Sequence, residues 1–77
     1  MATDPNLPDL IRSWREYAKL MPLDLANACE VSDAAVYYWE QGATTPTVRN
    51  LGRIATACGT TLAQFWAGPP RGRKRAS

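Results

Sequence analysis

The densest chemistry in the chain lies near its end. Arg71, Arg73, Lys74 and Arg75 place four cations within five positions, a cluster that attracts polyanions. They are four of the nine basic residues in a 77-residue chain that also carries seven acids and a net charge of +2. Without them the body keeps Arg12, Arg15, Lys19, Arg49 and Arg53 against seven acids, a net −2. A basic tail is thus joined to a body that is not itself a basic platform. A second polar group, Thr44, Thr45 and Thr47, offers hydroxyls just before Arg49. Hydroxyls, a nearby cation and the free N–H groups of a helix start can together hold one phosphate.

The side chains of catalysis are scarce. There is no histidine, which removes the commonest general base and the commonest metal ligand. The two cysteines, Cys29 and Cys58, are too few for a disulfide scaffold or a four-thiolate zinc site. Both fall on apolar helix faces and are expected to be buried small hydrophobes. No nucleophile–base pair, metal cluster or phosphate loop is visible. Neither an enzyme nor a bound metal or cofactor is expected. No apolar run approaches a membrane span, and no basic-then-apolar signal opens the chain, so a cytoplasmic protein away from membranes is expected.

The elements that must position these groups are short helices. Leu7, Leu10, Ile11, Trp14 and Ala18 recur at three and four residues, the spacing of one helix face. Pro8 suits the first turn of that helix, and Pro22 suits position N1 of the next. Leu25, Ala28 and Cys29 then share a face. Ser32 is a good N-cap for a third helix over Asp33–Gln41, with Val36 and Trp39 inward and Gly42 as its stop. Thr45-Pro46 reads as cap and N1 of a fourth, which repeats Val48, Leu51, Ile54, Ala55 and Cys58. Thr61-Leu62-Ala63-Gln64 is a capping box that opens a last short helix.

No run shows period-two alternation. The expectation is a compact all-α domain of five helices over residues 7–67, after a polar lead at 1–6 and before a basic tail at 68–77. Between Leu20 and Gly42 the spacing describes two short helices joined by a tight turn, with Ala26 small enough for close approach and Val31 in the turn. This is helix-turn-helix architecture.

The same residues carry a resemblance. Leu25-Ala26, Val31-Ser32, Val36, Trp39-Glu40-Gln41-Gly42, Pro46, Leu51, Ile54-Ala55, Gly59 and Thr61-Leu62-Ala63-Gln64-Phe65 resemble the Cro and phage-repressor type of helix-turn-helix domain, the xenobiotic-response-element family. The resemblance covers about residues 7–66. It implies a lambda-repressor-like five-helix fold whose helix 33–41 enters the major groove of double-stranded DNA, and a homodimer that reads two half-sites. It implies a transcriptional regulator, in most cases a repressor. It also implies an ion pair between Arg15 on the first helix and Glu40 at the end of the third.

By match to the family, the base-reading positions are Asp33, Ala34, Tyr37 and Tyr38. The DNA backbone falls to Ser32, Thr44, Thr45, Thr47 and Arg49, helped by Arg71, Arg73, Lys74 and Arg75. Three departures stand out. Pro22 replaces the glutamine that commonly clamps the backbone. Glu30 replaces the glycine common in the turn, so a turn of different shape is expected. Between Ser32 and Glu40 there is no Arg, Lys, Asn or Gln, the side chains that usually read guanine or adenine. That absence, with exposed tyrosines at 37 and 38, leaves a second reading: a module that binds a protein partner through Tyr37, Tyr38 and Trp66. Leu62, Phe65 and Trp66 are the candidates for a dimer seam.

Overall fold

A computed structural model describes residues 6–70. Among them the chain forms five helices: α1 over Leu7–Tyr17, α2 over Pro22–Cys29, α3 over Asp33–Gln41, α4 over Val48–Ala57 and α5 over Leu62–Phe65. α2 packs on α3 and α4, α1 packs on α3, and α5 closes against α4. None of these helices is long and apolar enough to cross a membrane. The lead at 1–5 and the tail cations Arg71, Arg73, Lys74 and Arg75 lie outside the described residues.

One core joins all five helices. Ile11, Leu25, Ala26, Val36, Ile54 and Phe65 are fully buried, with Trp14, Cys29, Trp39, Leu51, Ala55 and Cys58 nearly so. Trp14 links α1 to α5. Its ring stacks on Phe65 at 6.3 Å, and its indole N–H donates to the Phe65 carbonyl at 2.9 Å. The tryptophan thereby buries its apolar area with its one donor satisfied.

The helix starts follow from side-chain caps. Asn6, Ser32, Thr47 and Thr61 each accept a bond from the backbone N–H three residues on. α2 starts differently: the Asp24 carboxylate reaches back to accept from the Met21 N–H at 2.8 Å. Two expected starts need correction. α4 begins two residues late, with Thr47 rather than Thr45 as its cap. Pro46 sits before that cap and is buried, as is Leu51 in the first turn. These are the two positions of a hydrophobic staple, and burying the proline ring there outweighs its preference for N1. Val48 therefore becomes N1 and lies 72% exposed instead of joining the core. The capping box of α5 forms only in its forward half, because Gln64 Oε1 accepts from Thr60 Oγ1 at 3.3 Å and does not return to the cap.

The helix ends share one device. α1 to α4 each stop at a residue with positive φ, followed by an N–H that bonds five positions back: Leu20 to Arg15, Val31 to Ala26, Ala43 to Tyr38 and Thr60 to Ala55. This is the Schellman termination, which satisfies carbonyls the helix leaves open. Glycine fills the left-handed position at Gly42 and Gly59, but Lys19 and Glu30 fill the other two. The altered turn expected at Glu30 is not what forms. Glu30 adopts φ 60° and ψ 42°, so the left-handed conformation persists without glycine. Two bonds hold it. Val31 donates to Ala26 at 3.0 Å, and Arg53 donates from Nη1 to the Cys29 carbonyl at 3.1 Å.

Candidate nucleic-acid interface

α3 presents two unlike sides. Val36, Trp39 and Glu40 face the core, while Asp33, Ala34, Tyr37 and Tyr38 are exposed. The inner side is fixed by charge as well as packing. Arg15 donates to Glu40 twice, from Nε to Oε2 at 2.6 Å and from the second guanidinium nitrogen, Nη2, to Oε1 at 3.1 Å. Its remaining arm, Nη1, donates to the Leu20 carbonyl at 3.0 Å, which ties α1, the α1–α2 turn and α3 together. Arg12 stands 3.8 Å from the same carboxylate. Glu40 is only 9% exposed, so its charge is held out of water and matched by a fork of donors. The hydrogen bond to Glu40 raises the Arg15 pKa above its ordinary value against the opposing pull of burial. This guanidinium does not titrate in any working range.

The outer side is open and apolar. Asp33, Ala34, Tyr37 and Tyr38 line one cleft of about 440 Å³, together with Pro22 from the start of α2 and the edge of Glu40. Tyr37 and Tyr38 are 58% and 48% exposed, and their rings meet edge to face at 5.9 Å. The four base-reading candidates are thus contiguous. Pro22, legible in the sequence as a helix start and as the replacement of a backbone-clamping glutamine, is a further wall of the same cleft. Its reach to α3 follows from its place at N1 of α2, a tertiary contact that sequence spacing does not encode.

The backbone candidates gather partly. Thr47 and Arg49 line a groove with Glu30, Val31, Asn50 and Arg53, beside the turn between α2 and α3. The Ser32 and Thr47 oxygens already accept from their cap N–H groups, which leaves each hydroxyl hydrogen free to donate outward. Thr44 and Thr45 are exposed in the α3–α4 connection. Ala67, Gly68 and Pro69 lie against Leu10 and Ser13 of α1, the surface from which the chain continues into its basic tail.

The suggested dimer seam needs revision. Phe65 is fully buried and cannot face a second subunit, whereas Trp66 is 43% exposed and packs edge-on against Phe65. Ala28, expected on the inner face of α2, is exposed and lines a groove with Gly52, Arg49 and Arg53. Cys29 and Cys58 are both buried free thiols. Burial raises the Cys29 pKa and pushes Cys58 up to about 11, so both stay protonated near neutrality. No group of three or more His, Cys, Asp or Glu that could hold a metal occurs among the described residues.

A helix-turn-helix domain family matches residues 7–65. Comparison with curated proteins gives no match. Among solved structures, the chain is similar to the DNA-binding domain of the P22 c2 repressor in solution, at 23% identity over 83% of this chain and 84% of that one, with a TM-score of 0.76. It is also similar to the P22 c2 repressor in complex with a synthetic operator, at 25% identity over 84% and 98% with a TM-score of 0.71. The clp gene regulator ClgR from Corynebacterium glutamicum shares 24% identity over 82% and 71%, with a TM-score of 0.73. HppE, solved with iron and its substrate, shares 31% identity over 86% of this chain but only 37% of its own, with a TM-score of 0.66.

Proposed function

Because the chain belongs to the helix-turn-helix domain family, we propose that it is a sequence-specific DNA-binding transcriptional regulator, a repressor that works as a homodimer. α3 lies in the major groove, with Asp33, Ala34, Tyr37 and Tyr38 toward the bases. Ser32, Thr44, Thr45, Thr47 and Arg49 contact phosphates, and Arg71, Arg73, Lys74 and Arg75 track the backbone beside them. One observation carries this reading: α3 is anchored from behind by the Arg15–Glu40 pair while four consecutive-face residues stay clear of the core. A helix held rigidly by one side and open on the other is what groove insertion needs. The likeness to the P22 c2 repressor bound to operator supports it.

The charge distribution supports a part for the tail in this reading. α3 has no cation, so electrostatic attraction must come from elsewhere. Each phosphate neutralised contributes about −0.9 to the slope of log affinity against log salt on duplex DNA. Removing residues 71–77 should therefore flatten the slope by up to about 3.6 while leaving the preferred sequence unchanged. The test is a fluorescence titration of the full and truncated chains against genomic fragments between ~50 and ~200 mM salt. No sequence-selective binding at the lowest salt sinks the reading.

A second reading is favoured by the same face. Two half-exposed tyrosines on a helix that carries no cation of its own suit a protein interface, with Trp66 as a further exposed aromatic. Stoichiometric copurification of a protein, abolished by Tyr38→Ala with DNA affinity unchanged, would select it.

A further inference from the structure

We infer that Asp33 makes α3 select cytosine, a specificity set by a carboxylate where DNA-reading helices ordinarily present donors. The inference rests on the DNA-binding reading above and extends it to a base. Asp33 is exposed at the first position of α3 and opens into the cleft shared with Pro22, Ala34, Tyr37 and Tyr38. Among the described residues its carboxylate takes part in no ion pair or side-chain hydrogen bond. No cation on α3 masks it.

The base edges then decide. An ionised carboxylate only accepts hydrogen bonds. In the major groove guanine shows two acceptors, N7 and O6, and thymine shows the acceptor O4. Both face the carboxylate with like polarity. Adenine offers its N6 donor, but the neighbouring N7 acceptor opposes the second carboxylate oxygen. Cytosine alone offers N4–H without an adjacent acceptor. Closure of this face against the groove sharpens the choice, because an acceptor then set against an acceptor beside the tyrosine rings has little water to turn to. A negative charge so close to phosphates also lowers affinity for unmatched DNA, so the residue discriminates more than it attracts.

The test is selection of bound duplexes from a random pool at ~50 mM salt with the full chain and with Asp33→Asn and Asp33→Ala, each checked for unchanged melting. The wild-type site is expected to hold a cytosine whose replacement weakens binding about 5- to 100-fold. Asp33→Asn should exchange that cytosine for adenine, whose N6 and N7 fit an amide. Asp33→Ala should lose the preference there and bind unselected DNA more tightly. Selective binding with the same base pattern in all three proteins overturns the cytosine assignment and leaves the DNA-binding reading intact. An absence of selective binding by the wild-type chain overturns both.

Discussion

The inner and outer sides of α3 are nine residues of the same helix with opposite rules. On the inner side every group is matched: Val36 and Trp39 are packed, and Glu40 receives both arms of the Arg15 fork. On the outer side Asp33, Ala34, Tyr37 and Tyr38 are exposed, and beyond the edge-to-face contact of the two tyrosines their side chains make no hydrogen bond or ion pair among the described residues. The contrast teaches that position and specificity are separable here. The inner side sets where the helix stands, and the outer side is free to vary in what it reads.

The separation breaks most visibly through the ion pair. Arg15→Ala leaves the Glu40 carboxylate buried with only Arg12 at 3.8 Å, and should cost about 3–5 kcal/mol. A urea or thermal melt measures it. Loss of stability should carry DNA binding with it, since α3 is no longer held. An Arg15→Ala protein that melts like wild type would show that packing alone sets the helix.

The buried thiols probe the same core by pH. Cys58 has its folded pKa at about 11, above its ordinary 9.0, because burial penalises the thiolate. A raised folded pKa means that the native state holds the proton more tightly. Its stabilising contribution is complete below pH ~9 and is lost as pH climbs toward ~11, on the order of 2 kcal/mol. Melts of wild type and Cys58→Ala across that window should converge as pH rises. Parallel curves would refute the assignment.

The outer side should respond in the opposite sense. Tyr37→Ala and Tyr38→Ala remove exposed rings, so stability should stay within about 0.5 kcal/mol. Affinity for a selected site should fall about tenfold, the size expected when an aromatic contact at an interface is lost. Titration and melting of the same samples distinguish the two effects. A variant that loses stability but keeps affinity would place its tyrosine with the core.

Most of the inner side was legible in the residues. Apolar spacing found the five helices, Ser32 declared its cap, and Gly42 and Gly59 declared two ends. The Arg15–Glu40 contact spans 25 positions and came only through the family resemblance. What stayed hidden has physical causes. Thr45-Pro46 carries as strong a local start signal as Thr47, and only burial of Pro46 decides between them. Asp24 caps α2 without a Ser or Thr to announce it. Pro22 joins the outer cleft through the angle between α2 and α3, which depends on tertiary packing.

The smallest effect tests the turn that joins the two helices of the motif. Glu30 stands at φ 60°, where an L side chain costs about 1–2 kcal/mol relative to glycine. Its carboxylate recovers little, since it is 79% exposed and 3.9 Å from Arg53. Glycine concedes some entropy in the unfolded chain. Glu30→Gly should therefore stabilise the domain by about 1 kcal/mol, read as a rise in Tm. The backbone bonds Val31 to Ala26 and Arg53 to Cys29 do not involve the Glu30 side chain and should survive. Sequence preference should then be unchanged, because α3 keeps its position. A gain in stability with an altered site would mean that strain at Glu30 tilts the reading face, and the two sides of α3 would no longer be independent.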